Sequence, residues 1–107
     1  MKDGDIEIFK LHSEFCQALA NEKRLRILWL IAEQEYSVGE LSKELNIPIT
    51  NISQHLRILK DKGAVVERKA GQQVFYTVSN PKFIKGCKLI RESIIETHIE
   101  KSKLFSA

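Results

Sequence analysis

The fold turns on residues 37–63, SVGELSKELNIPITNISQHLRILKDKG. Ser37 and Glu40 have the spacing of a capping box: the hydroxyl accepts from the backbone N–H three residues on, and the carboxylate reaches back to the N–H of Ser37. A short helix holding Leu41 and Leu45 follows. It ends near Asn46, a residue that tolerates the left-handed conformation. Pro48 has no N–H to donate to a helix interior and so marks the start of the next element. There Ile52, Leu56 and Leu59 face inward, and Gly63 supplies a left-handed C-terminal cap. Two short helices around a tight Asn46-Ile47-Pro48 turn predict a helix-turn-helix, with the recognition helix between Thr50 and Lys62.

Upstream, apolar residues Ile8, Leu11, Phe15, Ala18 and Leu19 recur at helical spacing over 5–20. A second helix is predicted with Asn21 as its N-cap and Leu25, Ile27, Leu28, Leu30 and Ile31 on a broad apolar face. Trp29 lies off that stripe and is read as a packing residue. Downstream of Gly63 the period changes to alternation. Val65 to Lys69 and Gln73 to Val78 predict a β-hairpin with Gly71 in its turn, placed as a wing. Asn80-Pro81 opens a last helix to about Leu104, with Phe83, Ile84, Cys87, Ile90, Ile94 and Ile95 on one side. The expected architecture is mostly α with a small β-hairpin wing: four helices, two strands and a fifth helix in one domain, 1–107.

Composition sets the class. The 107 residues are 43% hydrophobic and 29% charged, as in ordinary globular chains. No apolar run approaches the roughly 18 residues needed to cross a bilayer, and the acidic Met1-Lys2-Asp3-Gly4-Asp5 lacks a signal-peptide core, so a cytoplasmic location without membrane contact is expected. Residues 1–47 carry six Lys/Arg against nine Asp/Glu, whereas 48–80 carry five against two and 81–107 six against three. An acidic first half followed by a basic remainder suits nucleic-acid binding, although charge runs are also simply solvated faces.

The blocks Ala18-Leu19-Ala20, Arg24-Leu25-Arg26-Ile27-Leu28, Ser37-Val38-Gly39-Glu40-Leu41, Ile52-Ser53-Gln54-His55-Leu56-Arg57-Ile58-Leu59, Gly63-Ala64-Val65-Val66 and Gly71-Gln72-Gln73-Val74-Phe75-Tyr76 occur in an order and spacing that resembles the ArsR/SmtB family of prokaryotic repressors. The resemblance covers about residues 14–80. It implies a winged helix domain, a homodimer through the helices at about 5–20 and 81–104, and DNA binding that an inducer abolishes. Where that family often has Ser-Gln opening the recognition helix, this chain has Pro48-Ile49, so the operator sequence does not carry over.

The polar face of that helix presents Thr50, Asn51, Ser53, Gln54, His55 and Arg57; its hydroxyl, amide and imidazole groups reach base edges in a major groove. Arg57, Lys60 and Lys62 lie further along and suit phosphates. In the wing, Arg68, Lys69, Gln72 and Gln73 are placed to meet the adjacent minor groove or its phosphates. The competing readings are a polar solvent face and a hairpin decorated for solubility. The expected partner is double-stranded DNA with a pseudo-palindromic site, read by two helices in successive major grooves.

The sensor residues are less determined. No Cys lies in the segment around Val38-Gly39-Glu40-Leu41, so the Cys-x-Cys metal site of many relatives is absent. Cys87 and His98 have the eleven-residue separation of another family site, about 16 Å along a helix. Its outer positions are Lys85 and Lys101, which offer no lone pair to a metal. No metal or cofactor is therefore assigned, and a Cys/His pair for a soft ion stays open. Cys16 and Cys87 fall on the first and last helices, where redox or sulfur chemistry would act on quaternary geometry. Otherwise both are buried structural thiols and His98 is an interface polar residue. His12, His55 and His98 lie on three different helices, with no phosphate loop and no nucleophile–base spacing, so no enzyme is expected. Two alternatives remain: a winged helix that binds protein, and single-stranded or RNA binding through Phe75 and Tyr76.

Overall fold

A computed structural model describes the backbone of residues 1–106 and the side-chain surroundings of residues 1–101. The elements run α1 (Asp3–Leu19), α2 (Glu22–Glu33), β1 (Tyr36–Ser37), α3 (Val38–Leu45), α4 (Ile49–Asp61), β2 (Val65–Ala70), β3 (Gln73–Val78) and α5 (Pro81–Ser106). This is a mostly helical winged helix-turn-helix. It differs from the sequence expectation by one short strand, β1, which pairs antiparallel with β3 through Tyr36↔Tyr76 and Ser37↔Phe75. The sheet order is β1-β3-β2.

The predicted punctuation is where the helices begin and end. Asn21 Oδ1 accepts from the N–H groups of Lys23 at 3.0 Å and Arg24 at 3.1 Å. The capping box is reciprocal: Glu40 N–H donates to Ser37 Oγ at 3.1 Å and Ser37 N–H to Glu40 Oε1 at 2.9 Å. Asn46 is left-handed at φ 55°, and Gly63 at φ 80° turns the chain from α4 into the wing. The Ser42 hydroxyl donates to the Ile47 carbonyl at 2.6 Å, which fixes the turn between α3 and α4.

Ile27, Leu28 and Ile31 of α2, Leu41 of α3, and Ile52, Leu56 and Leu59 of α4 form one buried cluster with Ile47, Ala64, Val65 and Ile84. α4 is thus held by three side chains at i, i+4 and i+7, which leaves the opposite face free. α1 and α5 behave differently. Ala18 is the one buried residue of α1, while Ile6, Ile8, Phe9 and Leu11 of α1 and Leu89, Ile90, Ile94, Ile95 and Ile99 of α5 are exposed. Their helical periodicity is correct, but their apolar sides have nothing to cover them within one chain. The radius of gyration, 16.6 Å, exceeds the about 13 Å of a compact chain this long because these two helices project. Among the described residues no helix is long and apolar enough to cross a membrane.

Candidate nucleic-acid interface

With Ile52, Leu56 and Leu59 committed to the core, helical geometry sends Thr50, Ser53, Gln54 and Arg57 to the opposite side. All four are exposed, and their i, i+3, i+4, i+7 spacing makes one continuous stripe. No side chain caps the start of α4. The Asn51 N–H donates to the Pro48 carbonyl at 3.0 Å, which leaves the N–H groups of Ile49 and Thr50 to water or to an anion. The loss of an N-cap hydroxyl expected from Pro48-Ile49 is therefore realised.

Asn51 and His55 sit on the flank of that stripe and are half-buried. His55 Nδ1 lies 3.4 Å from Arg24 Nη1, and Arg24 Nε donates to the Ala18 carbonyl at 2.5 Å. A guanidinium only donates, so Nδ1 accepts and the imidazole proton resides on Nε2. His55 thus fastens α4 to the α1–α2 corner. Burial first, and then the charges of Arg24 and Lys23, hold its pKa below the ordinary histidine value. The unfolded chain then takes up this proton more readily than the folded one, so stability falls as pH drops below about 6.5, down to the depressed folded value. In His55→Gln the urea midpoint should therefore decline less between about pH 7.5 and about pH 5.5 than in the parent. Parallel declines would remove His55 as the cause.

The cations divide into tied and untied. Lys60 Nζ pairs with Glu67 Oε1 at 2.8 Å, joining α4 to the base of the wing. The hydrogen bond from Lys60 holds Glu67 below the usual carboxylate range, and Glu67 in turn raises Lys60. Arg68 grips Glu35 with both Nε at 2.7 Å and Nη2 at 3.0 Å, and its guanidinium lies 5.2 Å from the Phe75 ring centroid. Arg68 therefore braces the wing against the α2–β1 loop. Lys62 lies 3.7 Å from Glu14 of α1. Among the described residues Arg57 and Lys69 form no ion pair. Lys69, Gln72 and Gln73 are exposed at the tip of the hairpin, where Gly71 takes φ 63° in the turn. Sequence spacing did not reveal the partners Glu35, Glu67 and Arg24, since each acts across two different elements, 33, 7 and 31 residues from its partner.

A family model described as bacterial regulatory protein, arsR family, matches residues 21–66, from the α2 cap to the first strand of the wing. The chain is 48% identical over 64 residues to the transcriptional activator HlyU of Vibrio cholerae, a match covering 60% of this chain and 59% of that one. The crystal structure of Rv0081 from Mycobacterium tuberculosis superposes with a TM-score of 0.80 at 30% identity, over 88% of this chain and 95% of that one. The chain belongs to the arsR family.

A second arsR-like structure, the homodimeric winged helix-turn-helix DNA-binding domain Mb0332 of Mycobacterium bovis, superposes with a TM-score of 0.81 at 26% identity, over 90% of this chain and 89% of that one. Other relatives are named as repressors, so the arsR likeness joins this chain to regulators of both signs. The matched stretch spans 59% to 66% of the length of the first curated relatives.

The sensor candidates are placed unevenly in this arsR chain. Cys16 is exposed and Cys87 half-buried, which corrects the expectation that both thiols are buried. Both line one groove between α1, α2 and α5. Burial, and then the neighbouring Cys16, push the Cys87 thiol up. His98 lies instead along the adjoining face of α5 with Leu89 and Thr97. Among the described residues no three His, Cys, Asp or Glu side chains gather as a metal site would require.

Proposed function

We propose that the protein is a homodimeric transcription regulator that binds a pseudo-palindromic duplex site, reading bases with Thr50, Ser53 and Gln54 and holding a phosphate with Arg57. The observation that carries this reading is the uncapped, wholly polar stripe on a helix whose other face is locked into the core. Asn51 and His55 add flank contacts, while Lys69, Gln72 and Gln73 at the wing tip meet the neighbouring minor groove. Lys60 and Arg68 meet phosphates with the donors that Glu67 and Glu35 leave unused. The two α4 helices of one dimer must sit in successive major grooves, about 34–36 Å apart. The exposed apolar sides of α1 and α5 form the dimer contact, since monomers rarely leave such patches uncovered.

Regulation is assigned to Cys16 and Cys87. Two thiols lose two protons and two electrons to an external oxidant, a peroxide or an organic persulfide, and become a disulfide joining α1 to α5. That would shift the elements which set dimer geometry and release the DNA, making the protein a repressor in its reduced state. His98 is left to the dimer face.

The test is binding to the chain's own upstream duplex. Gln54→Ala should narrow the gap between specific and unrelated duplexes by about 1–3 kcal/mol. Arg57→Ala should weaken every duplex and lower the salt slope by about one, with Lys60→Ala doing less because Glu67 already holds that ammonium. Oxidant should weaken the parent but neither Cys16→Ser nor Cys87→Ser. A full oxidant response in both cysteine variants would remove the thiols as sensor. No binding to any duplex would favour the protein-interaction alternative.

A further inference from the structure

The groove that holds the two thiols is larger than a dithiol switch needs. It encloses about 710 Å3 between α1, α2 and α5, within the about 300–1,000 Å3 of small-molecule sites. Its walls are almost wholly aliphatic, with Leu19, Leu30 and Ile95 among them, and Trp29 is its aromatic surface. The charged groups of its lining are few: Glu22, Arg26 and Arg91. Glu22 and Arg26 neutralise each other at 2.6 Å. Arg91 lies in the groove with its guanidinium 4.7 Å from the Trp29 ring centroid, and Lys88, outside the groove lining, reaches the same ring with its ammonium at 5.8 Å. Neither forms an ion pair among the described residues.

The geometry points to a binding site for a small amphipathic organic anion, its apolar body along Trp29 and the aliphatic walls and its acid group on Arg91 and Lys88. A neutral apolar molecule would leave both cations without a counter-charge, and a small hydrophilic anion would leave the walls wet. An aliphatic or aromatic carboxylate satisfies both. The adjoining α5 face is different in kind: a single helix lines it, through Leu89, Ser93 and Thr97, as suits a surface that packs flat on a second copy. Ile90 and Ile94 belong to both surfaces. An anion in the groove therefore presses on side chains that also face the dimer contact, which couples occupancy to quaternary geometry. The binding of the anion goes beyond the DNA-binding reading and does not depend on it, while its coupling to quaternary geometry rests on the proposed α1–α5 dimer contact.

Trp29 is the single tryptophan of the chain, so its fluorescence reads the groove without an added probe. In reductant and without DNA, decanoate is expected to give a saturable change in Trp29 emission. 1-Decanol, with the same chain and no charge, should bind at least fivefold more weakly. Arg91→Gln should bring decanoate to the level of decanol, and Arg91→Lys should recover most of the loss. Lys88→Gln should weaken decanoate in the same direction. Far-UV circular dichroism checks that each variant is folded. A decanoate titration without saturation, or less than a fivefold preference over decanol, overturns the proposal. So does a decanoate midpoint that weakens as protein concentration rises while light scattering reports more dimer, since a second copy would then fill the groove. As no DNA is present, either result leaves the reading of α4 to its own test.

Discussion

Leu56→Ala should destabilise the domain by about 2–5 kcal/mol, the range for truncating a large aliphatic side chain in a packed core. Leu56 is 1% exposed on the inner side of α4, in the same buried cluster as Ile27, Leu28 and Ile31 of α2 and Leu41 of α3. Removing its branched end takes away apolar area and leaves a void that three converging helices close only in part. For a domain of this size each kcal/mol moves the melting temperature by about 4–8 °C, so a drop of about 8–40 °C is expected. Ile58→Ala is the internal control. Ile58 occupies the same helix with 40% of its surface exposed, and its loss should stay within about 1 kcal/mol. Thermal and urea melts must be compared at one protein concentration, because association adds stability by mass action. Equal effects at the two positions would mean that α4 is not seated by the Ile52, Leu56, Leu59 side, and the assignment of the opposite stripe to DNA would fail with it.

The parts of this fold that were legible in the sequence are those whose cause is local. Asn21, the Ser37–Glu40 pair, Asn46, Pro48, Gly63 and Gly71 each act within a few residues of themselves, through a cap, a missing donor or a left-handed backbone. Strand β1 was missed for the opposite reason. Two residues show no alternation, and Tyr36-Ser37 is a strand only because β3 lies alongside it. The site was legible as a list and not as a geometry. Spacing named Lys60 and Arg68 as DNA contacts, and both are cations on the expected elements. Only the fold brings Glu67 and Glu35 against them, turning two free charges into braces. His55 was grouped with Gln54, its neighbour in sequence, although a helix turns about 100° per residue and sets it over Arg24 instead. A buried Cys16 is what a structural thiol on an amphipathic first helix requires, and Cys16 is exposed. The helix is amphipathic, but within a single chain it covers little more than Ala18.

That uncovered surface carries the other large effect. Leu89→Glu should convert the dimer to monomer and reduce affinity for a two-half-site duplex by about 10²–10⁴, the gain that linking two binding modules supplies. Leu89 is 64% exposed and lines the α5 face with Ile90, Ser93, Ile94 and Thr97. No residue of its own chain buries it, so a carboxylate there meets water in the monomer and costs little. In a dimer packed through this face the same carboxylate is desolvated twice, once from each copy, with apolar neighbours in place of a partner charge. Stable interfaces need about 1,200–2,000 Å2 of buried surface, and a charge at the centre of so small a contact is not absorbed by its rim. Sedimentation should therefore show the parent as a dimer and Leu89→Glu as a monomer with unchanged far-UV circular dichroism. The variant should retain the weaker, salt-dependent binding to a single half-site, since Thr50, Ser53, Gln54 and Arg57 are untouched. A variant that stays dimeric with full affinity would place the dimer contact elsewhere. A parent that is already monomeric while binding the palindrome tightly would dissociate the mechanism from α5 altogether.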